Sequence, residues 1–250
     1  MKFGLGVAGA FTASKGWTQV CGDNTGEQAL GPFFPQPGTP IDPIREDESQ
    51  QTPIYLANDW NLTKVMGRRG SASGQVVYVK GVVTDRACKP LEGATLIIWQ
   101  ASESGRYNHR GDMDNADFED PRTGKIIHRT LDPYFQSWGQ TKTNAQGEYF
   151  FKTIVPGFYP ADLTSKWYRP PHIHFMVSAL GHPQLVTQMY FRSPEIADND
   201  FIQELNSKDF ILQSKSLTEN QREHLVVEFQ TGSFNGESNL LVGEFNLQMD

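Results

Sequence analysis

Cysteine is nearly absent from this sequence: its 250 residues include only Cys21 and Cys88. Two thiols are too few for a scaffold held together by disulfides, and neither lies in a CxxC pair of the kind that binds zinc. Two interpretations stay open, a single bridge between the thiols if the protein is exported, or two unrelated thiols. We favour the two unrelated thiols.

Basic residues are also in short supply, with 22 Lys and Arg against 29 Asp and Glu and a net charge of −7. A face that binds nucleic acid needs an excess of positive charge, so nucleic acid is excluded as the main partner. Long apolar runs are missing as well. No run in the sequence reaches the roughly 18 apolar residues that a membrane-spanning helix requires, so no membrane span is predicted.

The first 22 residues have an ambiguous character. Residues 3–13 (FGLGVAGAFTA) are apolar and rich in small side chains, like the central region of an export signal, but Lys2 is the only charge before them. One interpretation is a truncated signal, which would make the protein exported or periplasmic. The other is a mobile tail or an arm lying on a neighbouring chain, which would leave the protein cytoplasmic. No secondary structure is therefore predicted for these 22 residues.

The rest of the chain divides into an extended arm and a region rich in strand-forming segments. Residues 23–74 are rich in Gly, Pro and polar side chains, without sustained periodicity, and are predicted to form an extended N-terminal arm. From residue 75 to residue 250, short β-rich segments alternate with Gly and Pro turns, which predicts one all-β domain, a β-sandwich with long irregular loops. The predicted strands lie at 76–84, 94–101, 172–179, 184–191, 224–230 and 240–249, and one more lies between two turns within 144–160. The strands at 172–179 and 184–191 flank a GHP turn and are expected to form a hairpin. A short helix is predicted from Ser193 to near Leu205.

The segment RPPHIHF (169–175) carries the sharpest chemical signal. In a strand alternate side chains share a face, so His172 and His174 point the same way and form a ready pair of metal ligands. The two prolines before them predict that this strand starts at an edge or rim of the sheet. An HxH pair by itself is weak evidence, since pairs of structural histidines are common. His182 and His224 are poorly placed to complete a site, which leaves phenols upstream as the remaining ligands.

Six blocks give the chain a specific resemblance. They occur in the order GPFFP (31–35), PLEGATLIIWQASESGRYNH (90–109), LDPYF (131–135), GEYFFKTIVPGFYP (147–160), RPPHIHF (169–175) and TQMYF (187–191). Together they resemble the intradiol ring-cleavage dioxygenases, especially the protocatechuate 3,4-dioxygenase branch. The resemblance implies an enzyme that cleaves a catechol between its two hydroxyl-bearing carbons with O2 to give a cis,cis-muconate, and a possible homo-oligomer.

The resemblance also implies a ligand set for iron(III), Fe(3+), namely Tyr107, Tyr159, His172 and His174. It implies a second duty for Tyr159, which would leave the metal when the substrate binds, and it places Arg169 and Gln188 beside the substrate. The charges agree with this set. Two phenolates and one hydroxide offset the three charges of the ion, so the centre becomes neutral and tolerates burial.

The sequence departs from the family pattern in two places. Residues 110–129 form a longer segment than their counterpart, and residues 111–120 hold five acids and no base, which predicts a solvated loop. Ala161 stands where the protocatechuate branch usually has a large aromatic residue. Both departures are expected near the mouth of the pocket. They favour neutral or bulkier catechols over protocatechuate.

A second resemblance points to a different class of protein. Residues 81–100 and 143–159 are also similar to prealbumin-like and carboxypeptidase-regulatory β-sandwich modules, which bind partners and catalyse nothing. This alternative explains the strands and turns equally well. It leaves RPPHIHF, Tyr107 and TQMYF without a role.

Overall fold

The computed structural model describes residues 24–41, 59–112 and 117–250. In this part of the chain the strands are β1 (Val76–Thr84), β2 (Thr95–Trp99), β3 (Phe118–Glu119), β4 (Ile126–Ile127), β5 (Trp138–Lys142), β6 (Glu148–Ile154), β7 (Tyr159–Asp162), β8 (Trp167–Arg169), β9 (His172–Ser178), β10 (Leu185–Arg192), β11 (Val226–Phe234), β12 (Glu237–Glu244) and β13 (Leu247–Gln248). Two α-helices are described, α1 (Asn199–Lys208) and α2 (Glu219–Leu225). The prediction of an all-β protein is confirmed.

One mixed sheet of nine strands dominates the fold. Its order is β13-β1-β12-β11-β10-β9-β2-β5, and β6 pairs with β1. Strand β10 runs parallel to β11, and parallel neighbours need a crossover connection instead of a tight turn. Both helices lie in that crossover, which explains why the helical part of the chain is confined between these two strands.

Strand β9 separates two packed regions. Ile173, Phe175 and Val177 are fully buried on one face, in the main hydrophobic core. The opposite face carries His172 and His174, and a smaller aromatic cluster lies beyond them. That cluster consists of Trp99, Ala101, Tyr107, Trp138 and Tyr159. The alternation predicted for HIHF is therefore what places a polar pair against an aromatic cluster.

The predicted edge position of the His-bearing strand is wrong. Strand β9 pairs with β10 on one side and with β2 on the other, so it lies inside the sheet. Pro170 and Pro171 come before the first residue of β9, where their missing N–H groups interrupt no ladder. The predicted hairpin of β9 and β10 is confirmed, and its connection includes the predicted GHP turn (181–183).

Three other boundaries differ from prediction. The segment 105–146 was expected to be irregular but contains the β3–β4 pair and β5. Helix α1 begins at Asn199, and its N-cap position is Asp198, which makes no side-chain cap hydrogen bond, instead of Ser193. Helix α2 was missed: Thr218 and Gln221 form a capping box at its start, and His224 and Leu225 are helical instead of extended.

Two further predictions concern the cysteines and the first 22 residues. Cys88 is disulfide-bonded, which overturns the favoured interpretation of unrelated thiols for that residue, whereas Cys21 lies outside the described residues. The predicted signal or tail at residues 1–22 also lies outside them. Among the described helices, none is long and apolar enough to cross a membrane.

Candidate metal centre

The side chains of Tyr107, His172 and His174 converge on one point. The Tyr107 hydroxyl oxygen lies 3.2 Å from Nε2 of His172 and 3.1 Å from Nε2 of His174. All three residues are buried. A phenol has one hydroxyl proton, so it can donate to only one of these two nitrogens.

The orientation of His172 is set by its other ring nitrogen. Nδ1 lies 2.7 Å from the carbonyl oxygen of Pro170, which can only accept, so Nδ1 carries the proton. Nε2 of His172 therefore presents a lone pair to the centre. This second contact fixes the tautomer in the way that is usual for metal-binding histidines.

Neighbouring strands and the N-terminal segment hold His174. Trp99 is opposite His174 in the β2–β9 register, and the two rings stack at 4.7 Å with an interplanar angle of 8°. Gly31 lies against the His174 imidazole, because a Cβ added at Gly31 would lie 3.1 Å from Cε1 of that ring. Trp99 is thus a core residue beneath the centre, as predicted. The GPFFP motif adds Phe33, which packs on Tyr107 at 4.7 Å, and Phe34, which packs on Trp99 at 4.9 Å.

Tyr159 completes the group from the β7–β8 hairpin. Its ring meets the Tyr107 ring edge-on at 5.6 Å and lies 5.9 Å from the His172 ring. Tyr159 is the first residue of β7 and pairs with Arg169 of β8, so a hydrogen-bonded hairpin holds its backbone.

Two glycines allow the chains that carry the tyrosines to meet. A Cβ on Gly157 would lie 2.2 Å from the carbonyl oxygen of Glu103, and one on Gly105 would lie 2.5 Å from that of Phe158. Gly157 was expected to supply backbone freedom. Its role in the structure is close approach, since any side chain there would push the two segments apart.

Burial sets the protonation of the four side chains. It raises the pKa of both phenols, and the nearby Arg169 offsets part of the rise at Tyr159. Burial, followed by the positive charge of Arg169, lowers the pKa of His172 and of His174. The imidazoles are therefore neutral, and the phenols need a strong positive charge beside them to ionise at neutral pH. This donor set suits a small, highly charged cation.

Carboxylates and thiolates offer no competing centre. Within the described ranges, no group of three or more His, Cys, Asp or Glu side chains is arranged to hold a metal ion.

Arg169 and Gln188 lie together beside the tyrosines. Nη2 of Arg169 donates to Oε1 of Gln188 at 2.6 Å, and Gln188 is opposite His174 in the β9–β10 register. Nε2 of Gln188 donates to the carbonyl oxygen of Ala29, which ties the N-terminal segment to the same network. The carboxylate that pairs with Arg169 is that of Asp209, whose Oδ2 lies 2.7 Å from Nε.

The acidic segment 111–120 is only partly exposed to solvent, contrary to the prediction of a solvated loop. Asp112 is buried, accepts from the backbone N–H of Tyr107 at 2.8 Å and forms an ion pair with Arg129 at 2.9 Å. Asp120 is buried and paired with Arg122. The balancing bases lie outside the 111–120 window, which is why sequence reading missed these pairs. Asp114 lies outside the described residues.

Family comparison agrees with this geometry. A family model described as Dioxygenase matches residues 51–236, and curated relatives include proteins named protocatechuate 3,4-dioxygenase beta chain and catechol 1,2-dioxygenase. The chain belongs to the intradiol ring-cleavage dioxygenase family. The segment 24–41 precedes the region that the family model matches. Its Gly31 lies against His174, and its Phe33 packs on Tyr107.

Individual relatives of this chain within the family differ in name. The chain is 37% identical over 164 residues to the protocatechuate 3,4-dioxygenase beta chain of Burkholderia cepacia, covering 62% of this chain and 63% of that protein. It is 31% identical to the catechol 1,2-dioxygenase of Candida albicans, covering 60% of this chain and 46% of that one. This chain thus spans less than two thirds of the length of either curated relative.

A solved structure extends the likeness over most of the fold. The dioxygenase domain of a dioxygenase carbohydrate-binding protein fusion from Streptomyces sp. SirexAA-E is 26% identical, with a TM-score of 0.54. The match covers 91% of this chain and 99% of that domain. Unlike the two curated relatives, that domain is spanned almost completely by the present fold.

Proposed function

We propose that this protein is a non-haem iron(III) dioxygenase that opens the ring of a catechol between its two hydroxyl-bearing carbons with O2. The product is a cis,cis-muconate. The observation that carries the proposal is the Tyr107 hydroxyl, which lies within 3.2 Å of two buried imidazole nitrogens with Tyr159 beside it. O2 uptake and mass spectrometry of the ring-opened product test it. A chain that binds catechol without consuming O2 would contradict it.

Iron(III) fits the four proposed ligands, Tyr107, Tyr159, His172 and His174, for reasons of charge. The ion prefers anionic oxygen, and two phenolates compensate most of its charge in a site where water is largely excluded. When bound, iron(III) withdraws electron density from a chelated catecholate and so prepares the ring for reaction with O2. The two imidazoles add no charge, in agreement with their lowered pKa values.

The remaining proposed roles belong to residues that touch the substrate. Tyr159 would hold the metal in the resting protein, and its phenolate oxygen would accept a proton from the incoming catechol, which couples binding to deprotonation. Arg169 stabilises negative charge that develops on the ring, and Gln188, hydrogen-bonded to Arg169, orients substrate oxygens. The catecholic substrate reaches these side chains beside the β7–β8 hairpin, where Ala161 is exposed.

The finer description of the fold is also a proposal. We infer that residues 75–250 form a prealbumin-like β-sandwich and that residues 23–74 act as an arm of the same catalytic unit. Contacts of Gly31 and Phe33 with the candidate ligands support the second point. The rival function, a binding module without catalysis, would require neither the buried tyrosines nor a metal.

Metal content is the first prediction. The purified protein is expected to hold about one iron(III) per chain and to be wine-red, because tyrosinate-to-iron charge transfer absorbs visible light. The absorption band should shift when a catechol is added without oxygen. Elemental analysis and visible spectra check both points. A colourless protein with stoichiometric zinc and no response to catechol would contradict the proposed iron centre, whereas a protein without any metal would favour the binding module.

A pair of glycine substitutions tests whether the N-terminal segment supports the centre. Gly31 has a φ of 75° and Gly67 one of 78°, so alanine strains either backbone by about 1 kcal/mol. Only at Gly31 would the added Cβ press on His174, since nothing lies within 4 Å at Gly67. Gly31→Ala should therefore release iron to a chelator roughly 10-fold more readily than Gly67→Ala, at a similar loss of thermal stability. Equal iron release from the two variants would contradict this.

A further inference from the structure

Asp209 is a buried carboxylate to which no role has been assigned so far. It follows the last residue of α1, and its side chain has no solvent exposure. Oδ1 accepts the backbone N–H groups of Ile211 at 3.1 Å and Leu212 at 2.8 Å. Oδ2 accepts Nε–H of Arg169 at 2.7 Å. The backbone bonds hold the carboxylate in one orientation, so its second oxygen is a fixed anchor.

The guanidinium of Arg169 is held at two of its three nitrogens. Asp209 binds Nε, and Gln188 accepts from Nη2 at 2.6 Å. The described residues provide no hydrogen bond to the third nitrogen, Nη1. Because a guanidinium is planar and rigid, two fixed nitrogens also fix the direction of the third.

The direction of Nη1 matters because Arg169 lies beside the candidate metal ligands. Arg169 pairs across the hairpin with Tyr159, and Gln188, which accepts the hydrogen bond from its Nη2, is opposite His174 in the β9–β10 register. The cation thus lies beside the candidate ligands, where a chelated substrate would be. Its backbone position alone does not decide which way the long side chain points. A residue that fixes the guanidinium would control how well Arg169 meets charge on the substrate ring.

We propose that Asp209 is a positioning residue that aims the guanidinium of Arg169 at the substrate ring. This inference rests on the proposed dioxygenase function. Asp209 makes no contact with substrate in this scheme and acts only through Arg169. A carboxylate about 40 residues downstream, on the crossover between β10 and β11, would thereby become part of the catalytic arrangement.

Asp209→Asn is the decisive variant. The amide oxygen can keep both backbone hydrogen bonds, which forces the amide NH2 toward Nε–H of Arg169, so that two donors face each other. We expect kcat for catechol to fall on the order of 10- to 10²-fold because the guanidinium is misdirected. Iron content, the resting visible spectrum and the anaerobic dissociation constant for catechol should change by less than about threefold, because Arg169 is no metal ligand and its proposed role is to meet charge that develops on the ring during the reaction.

A double-variant cycle separates positioning from general destabilisation. In an Arg169→Leu background, adding Asp209→Asn should leave kcat unchanged, because the only route of its effect has gone. Glu204→Gln serves as the matched control, since Glu204 lies on the same helix and its ion pair with Lys208 is exposed. It should leave kcat as in the wild type. If Asp209→Asn does not fold, Asp209→Glu carries the test with the charge retained and displaced.

The possible results are distinct. A wild-type protein without iron and without ring-opening activity would reject the proposed function. An active wild type with a folded Asp209→Asn or Asp209→Glu variant of unchanged kcat would overturn the role of Asp209 alone. A loss of kcat that persists in the Arg169→Leu background would also overturn it, because the effect would then bypass Arg169.

Discussion

Arg169→Leu is expected to lower kcat for catechol by about 10²-fold or more, the usual effect of losing one electrostatic donor at a reacting centre. The variant should keep its iron and its colour, since Arg169 is not among the proposed ligands. The structure adds a second expected effect. Arg169 is buried against Asp209, so leucine leaves an unpaired buried carboxylate and should destabilise the fold by about 3–5 kcal/mol.

The double variant Arg169→Leu/Asp209→Asn separates these two effects. Removing both charges should recover much of the lost stability, whereas kcat stays at the level of the single Arg169→Leu variant. Thermal unfolding and steady-state kinetics of the two variants check this. If the double variant regained turnover together with stability, Arg169 would be a structural residue and its proposed catalytic role would be wrong.

Replacing the two tyrosines should have unlike consequences. Tyr107→Phe removes the hydroxyl oxygen that lies 3.2 Å and 3.1 Å from Nε2 of His172 and of His174, so it should weaken iron binding most and abolish most of the colour that persists in the catechol complex. Tyr159→Phe should retain iron through three protein ligands. It should nevertheless bind catechol with altered pH dependence and turn over slowly, because the group that accepts the substrate proton is gone.

Visible spectra of both variants, with and without catechol in the absence of oxygen, check these assignments. Tyr159 would have to move when catechol binds. Because Tyr159 begins β7 and pairs with Arg169 of β8, its movement depends on the β7–β8 hairpin. Phenylalanine at either position keeps the ring packing of the aromatic cluster, so the comparison is matched in shape. Loss of the colour of the catechol complex in Tyr159→Phe, and its retention in Tyr107→Phe, would reverse the two roles.

Local patterns in the sequence determined several features that the structure bears out. Strand periodicity predicted the all-β class, the β9–β10 hairpin and the shared face of His172 and His174, because side-chain direction in a strand depends only on position along it. The same argument left the other ligands open. Tyr107 and Tyr159 were proposed only through the resemblance to a family, since a phenol before a turn carries no local sign of metal binding.

Tertiary structure alone decided what surrounds those residues. Arg169 meets Asp209 across 40 positions of chain, and Gln188 meets Ala29 across 159. Asp112 finds Arg129 instead of solvent, and Gly31 closes on His174 from a segment that was predicted only as an extended arm. Periodicity reports which face of an element a side chain occupies, whereas the partner on that face depends on how distant segments pack. The residue types of this site were therefore readable from the sequence, but the charge pairs and close backbone approaches that orient them were set by the packing of the whole sheet and its crossover.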